Sequence, residues 1–168
     1  MRKHKESDLQ IRCVKWFRYQ YPAYSRLLEH PHNEGNGFNR RQQSIANAEG
    51  VTKGVADLIL HVPSFPGQET DWTFSYISLA IEMKTSKGTQ SPEQKTWQRL
   101  FEAAGGRYVI IRSYDDFVAE VTRYMLFVPQ GIDKRVKQAH ADILREEDEK
   151  LKKQFRSFLN QSEPCPSK

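Results

Sequence analysis

Gly54-Val55-Ala56-Asp57-Leu58-Ile59-Leu60-His61-Val62 and, after a polar loop, Ile77-Ser78-Leu79-Ala80-Ile81-Glu82-Met83-Lys84 are the segments whose reading decides the fold. The first is short, apolar and stopped by Pro63, which reads as a mostly buried strand with Asp57 at its mouth. Pro66, Gly67 and Asp71 mark the loop, and a second strand is expected over residues 72–84. Side chains alternate along a strand, so Ile77, Leu79, Ile81 and Met83 share one face while Ser78, Ala80, Glu82 and Lys84 share the other. Small residues at Ser78 and Ala80 keep that second face shallow. Two strands joined in this way bring Asp57 close to Glu82, with Lys84 pointing the same way.

Two carboxylates and an ammonium have a chemical use. Hard oxygen donors hold Mg²⁺ or Mn²⁺, which accepts phosphate oxygens and acidifies bound water. A neighbouring lysine stabilises the charge that develops on the phosphate. A surface hairpin carrying a Glu/Lys pair is the other reading of the same alternation.

Further along, Ser91-Pro92-Glu93-Gln94 opens a helix with serine at the cap and glutamine three residues on, and Trp97, Leu100, Phe101 and Ala104 form its apolar face before Gly105-Gly106. Upstream, Leu9, Cys13, Trp16 and Phe17 predict an amphipathic helix over residues 7–20, with Ser7-x-x-Gln10 as a capping box. Such a cap leaves Glu6 outside the helix, whereas a helix that includes Glu6 puts its carboxylate on the buried face.

Taken in order, Glu6-x-x-Leu9-Gln10, Asn33-Glu34-Gly35, Gly-Val-Ala-Asp57, Ile81-Glu82-Met83-Lys84 and Ser91-Pro92-Glu93-Gln94 with Trp97 and Gly105 resemble the VRR-NUC (virus-type replication-repair nuclease) branch of the PD-(D/E)XK nucleases. The likeness covers about residues 6–125, with Ala56 standing where that family usually has proline. It implies a restriction-endonuclease-like α/β core and a Mg²⁺- or Mn²⁺-dependent DNA endonuclease. Asp57, Glu82 and Glu6 would be metal ligands, with Asp8 the competing choice for the helix acid, and Lys84 and Gln94 would complete the catalytic set. Gln94 as a plain capping residue stays open, and Gln90 is the less favoured glutamine. Stand-alone members of the family suggest a homodimer that cuts branched DNA such as four-way junctions in phage or bacterial replication and repair. A nick- or flap-processing nuclease and a catalytically silent DNA-binding module of the same fold are the alternatives.

The remaining sequence sets the context. The 168 residues carry a net charge of +5 with a pI near 9.2, which favours a polyanionic partner. Asn33, Arg40, Arg41, Lys53 and Lys87 are the candidate nucleic-acid contacts. Two cysteines, Cys13 and Cys165, have neither disulfide-framework nor zinc-site spacing, and His30-Pro31-His32 lacks further ligands at defined spacing. No apolar run approaches membrane length, so a cytoplasmic protein with no membrane partner is expected. The chain divides into a nuclease-like domain over residues 1–128 and, over 129–168, a long amphipathic helix with a tail. The element order should be helix, strand, helix, two strands, helix, strand, helix and the C-terminal helix, forming a small mixed sheet flanked by helices, with the site at one sheet edge.

Overall fold

The computed structural model describes residues 2–31, 40–66 and 75–161. The chain separates into two compact units, Met1–Pro129 and Gln130–Lys168.

In the first unit, α1 (Arg2–Gln20) is followed by a 3-10 helix (Pro22–Leu27), β1 (Leu28–Glu29), α2 (Arg40–Ala48), β2 (Leu58–Leu60) and β3 (Leu79–Met83). Then come α3 (Pro92–Ala103), β4 (Arg107–Ile111) and α4 (Tyr114–Leu126). The four strands form one sheet in the order β1-β2-β3-β4, antiparallel except for the parallel β3–β4 pair. A parallel pair needs a crossover, and α3 supplies it.

Every residue of β3 is buried, because both of its faces are covered. Trp97 and Phe101 of α3, stacked at 4.7 Å between centroids, pack on Ala56, Ala80 and Tyr108. The small Ala80 thus makes room for two aromatic rings. On the other side α1 packs against β3 and α4, with Cys13 and Phe17 fully buried and Trp16 edge-on to Phe117 at 5.9 Å. Burial also pushes the Cys13 thiol up to about 11.

Several local expectations are corrected. Ser7 does not cap α1; the helix starts at Arg2, since residues 2–6 contain good helix formers and no breaker, and Glu6 is therefore helical. The short strand expected over residues 26–30 is present but trimmed to the two residues of β1, because a 3-10 turn opened by Pro22 runs on through Leu27. β3 runs only from Leu79 to Met83, shorter than the strand expected over residues 72–84, with Tyr76 making a single bridge to Ser64, and residues 72–74 lie outside the described ones. Leu100 is 68% exposed, and Ala104 is exposed too, because the apolar contact of α3 with the sheet is made through Trp97 and Phe101. Its C-terminus is nonetheless closed by Gly105 at φ +90, a conformation that suits glycine.

The second unit is α5 (Gln130–Gln161), a helix of 32 residues. Its charges pair along the helix, Lys137 with Asp133 at 2.8 Å, Arg145 with Asp142 at 2.9 Å and Lys152 with Asp148 at 2.6 Å. Leu151, Phe155 and Phe158 are exposed. Among the described residues no helix is long and apolar enough to cross a membrane.

Candidate active site

Glu82 is the centre of the site. It lies on the Ala80 face of β3 with 0% exposure, and a carboxylate that deep requires partners. Lys84, two residues on and therefore on the same face, places Nζ 2.7 Å from Oε1. Gln94 in the first turn of α3 donates from Nε2 to the same oxygen. The Tyr108 hydroxyl, brought alongside by the parallel β3–β4 pairing, donates to Oε2 at 3.1 Å. Burial, and then the charge of Asp57, raises the Glu82 carboxyl above its ordinary range. Burial and the Glu82 charge push the Tyr108 phenol well up, so it stays protonated as a donor.

Asp57 sits just before β2. Its Oδ2 accepts a 2.6 Å hydrogen bond from the Met83 N–H, and Oδ1 accepts none among the described residues. Burial raises this carboxyl too, against the opposing effects of the Met83 N–H, Lys84 and His30. His30 braces Asp57 from behind, its Nδ1 lying 2.6 Å from the Asp57 carbonyl oxygen. A carbonyl only accepts, so this contact is a hydrogen bond in the tautomer that carries its proton on Nδ1, and Gln10 Nε2 lies 3.2 Å from the same nitrogen. The loop entering Asp57 is seated by Gly54, at φ +81; a Cβ there would lie 2.6 Å from the Glu93 carbonyl oxygen and 2.7 Å from the Gln94 nitrogen. Only glycine permits both the conformation and the approach. The Asp57 loop therefore abuts the turn of α3 that carries Gln94.

Gln94 caps its helix and contacts Glu82 as well. Its Oε1 accepts from the Ser91 N–H at 2.9 Å and its N–H donates to Ser91 Oγ at 3.2 Å, a complete capping box, while its Nε2 holds Glu82. Gln90 donates to Gln98 at 2.8 Å and lies near enough to Tyr108 to oppose the rise of its phenol. Glu6 reaches the rim of the site from α1, accepting from the Thr85 N–H at 2.9 Å, and its charge contributes to raising Asp57. Asp8 is exposed. Arg112 grips the same loop, donating to the Thr85 carbonyl at 2.6 Å and the Gly88 carbonyl at 2.9 Å.

The site is not at a sheet edge as expected: β2 and β3 are the two inner strands, and the carboxylates gather where their ends meet, under the N-terminus of α3. Of the candidate nucleic-acid contacts, Arg40 opens α2, Arg41 and Lys87 are exposed, and Lys53 lines a cleft with Thr52, Glu93 and Trp97. Asn33 lies outside the described residues. Sequence reasoning missed Tyr108, Arg112 and the bracing by His30. A tyrosine inside an apolar strand reads as core, and only the register of β4 against β3 places its hydroxyl at Glu82.

Asp57 and Glu82 are the residues that could hold a divalent ion. They are hard oxygen donors, poorly solvated and mutually repelling, with Asp57 Oδ1 still to be engaged. A dication relieves that repulsion, so the donor set fits one. Among the described residues no group of three or more His, Cys, Asp and Glu side chains is placed to hold a metal ion, Glu6 being tied to Thr85.

No protein-family model matches the chain, and no curated protein matches it. Among solved structures, one described as a VRR_NUC domain protein is similar, with a TM-score of 0.58 and 18% identity over 73% of this chain and 89% of that one. The mixed four-stranded sheet with its flanking helices is an α/β fold of the restriction-endonuclease-like kind.

Proposed function

We propose that the chain is a Mg²⁺- or Mn²⁺-dependent DNA endonuclease that hydrolyses phosphodiester bonds. The observation that carries this reading is the fully buried Glu82 carboxylate gripped by Lys84 and Gln94 beside Asp57. A buried acid whose neighbours are another acid and a lysine costs stability that an ordinary core residue would not, and sites of catalysis are where such costs concentrate. The fold shared with a VRR_NUC domain protein supports the same reading.

Asp57 and Glu82 would hold the ion, which when bound supplies a polarised phosphate oxygen and a more acidic water. Lys84 balances negative charge on the phosphate, a role its ammonium can take once Glu82 no longer needs it. Gln94 and Tyr108 keep Glu82 in one orientation, and Glu6 anchors the loop that follows Lys84. Branched DNA such as a four-way junction is the proposed substrate, cut by a homodimer, since two symmetric incisions need two sites.

The test is cleavage of duplex, flap and four-way-junction DNA with Mg²⁺ or Mn²⁺, with Glu82→Ala as control, alongside light scattering. Metal-dependent paired cuts by a dimer are expected. A monomer that only nicks points to flap or nick processing, and salt-sensitive DNA binding with no cleavage in any metal points to a silent binding module.

A further inference from the structure

A second feature leads away from the carboxylates along α1. Ser7, Gln10, Ile11, Val14, Lys15 and Arg18 recur on one side of that helix and wall a cleft of about 400 Å³. From Ser7 to Arg18 the wall runs about 16 Å at 1.5 Å per residue. Leu28 and Leu58, both buried, form its apolar floor. His30, bonded to the carbonyl of Asp57, also lines the cleft and links it to the site.

The charge state of the wall is the informative part. Lys15 and Arg18 are exposed and make no ion pair or hydrogen bond among the described residues. Some cations elsewhere are engaged, Arg12 over the Tyr114 ring, Arg107 and Arg123 on Glu120 and several along α5, while Lys87, Arg99, Lys134 and Arg135 are as unengaged as Lys15 and Arg18 among the described residues; what sets the α1 pair apart is that it lines a cleft. Two unengaged cations on one wall of a cleft whose lining residue His30 contacts the proposed metal-binding aspartate complement a row of phosphates. One strand of DNA presents a phosphate about every 3.4 Å of axis, so the wall faces on the order of four or five of them.

We infer that this cleft is the path of the DNA strand next to the scissile bond, held by its phosphates through Lys15 and Arg18 with sugar edges against the apolar floor. The inference rests on the nuclease reading and adds to it a binding surface on α1, away from Arg40, Arg41 and Lys53. An acidic protein segment is the competing occupant, and the test separates the two.

The experiment is fluorescence anisotropy of the full chain on a labelled junction oligonucleotide across a salt series without divalent metal. It compares wild type, Lys15→Glu/Arg18→Glu, and Lys134→Glu/Arg135→Glu in α5 as an equal charge change elsewhere. All four side chains are at least partly exposed, and glutamate is a good helix former, so folding should survive; circular dichroism checks it. The α1 pair should bind at least tenfold more weakly and lower the salt slope by about two, one for each lost phosphate contact, while the α5 pair stays within twofold of wild type. Wild-type affinity in the α1 pair, or an equal loss in both pairs, overturns the cleft and leaves the nuclease reading standing. If the cleft instead serves an acidic protein segment, DNA binding in the α1 pair is unchanged, and the proposed strand path falls in the same way. Absence of DNA binding by wild type overturns both.

Discussion

Gln94 holds Glu82 with the nitrogen end of its amide while the oxygen end caps the helix on which it stands. The two tasks separate by substitution. Gln94→Glu keeps the acceptor for Ser91 but loses the donor and sets a carboxylate against Glu82, so cleavage should fall by two orders of magnitude or more, while stability should hold only near about pH 4 or below, where protonation removes the new repulsion and the cap is read alone. Gln94→Ala loses both, with an added stability cost of about 1 kcal/mol for the cap. Urea unfolding at that low pH, read beside cleavage rates, checks this. Equal destabilisation by the two variants there would mean the cap carries no separate weight.

Tyr108→Phe removes one hydroxyl and almost no volume. A hydrogen bond to a buried charge contributes about 1.5–3 kcal/mol, and loss of a group orienting a metal ligand typically costs about 10–100-fold. Tyr108→Phe should therefore lower kcat/KM in that range and raise the metal concentration needed for half-maximal rate. An unchanged metal titration would reduce Tyr108 to a core residue.

Asp57 and Glu82 give a pH dependence of stability with a definite sign. Burial raises both carboxyls, with Asp57's charge adding to the rise at Glu82. A raised carboxyl contributes its full stability below the unfolded-chain values of about 4, and that contribution is lost as pH climbs through the higher folded values. Metal-free protein should thus lose stability from this pair on going to neutral pH, and the Tm gain on adding Mg²⁺ or Mn²⁺ should be larger near neutrality than near about pH 5, where protons compete. Asp57→Ala and Glu82→Ala should abolish both the gain and cleavage. A gain that survives in either variant would place the ion elsewhere.

Lys84→Ala should depress turnover with little change in metal affinity, because its proposed task is to balance phosphate charge. Arginine is not a safe replacement, since its planar fork cannot put a point charge in the same place. Isothermal titration with Mn²⁺ is the check, and a large loss of affinity would contradict the role.

Gly54→Ala should be strongly disruptive. It meets both a positive φ and the backbone of Glu93 and Gln94, neither of which can retreat without moving α3. A loss of about 2 kcal/mol or more is expected, beyond the roughly 1 kcal/mol of a simple left-handed glycine. Thermal unfolding measures it.

Strand alternation and a capping pattern are local properties, so they could place Glu82 and Lys84 on one face and Gln94 at a helix start, but it was the family resemblance that singled these residues and Asp57 out. Tyr108 and His30 could not be picked out, since their contacts depend on register between strands distant in sequence. The failed cap at Ser7 and the exposed Leu100 share a cause: periodicity identifies a helix and one face of it, but the helix's starting residue and the width of the buried stripe follow from what it packs on. The site's position within the sheet was illegible for the same reason, because strand order is not written in any one strand.

Thr85 has its N–H taken by Glu6 and its carbonyl taken by Arg112, so the bend after Lys84 is held by its main chain. Residue identity at 85 should then drift freely over evolutionary time, with proline the one exclusion because it lacks the N–H. A saturation library at that codon would recover nearly every amino acid in active clones, while the positions of Glu6 and Arg112 would tolerate few. The parts of this loop with the least recognisable sequence would be the ones most faithfully placed.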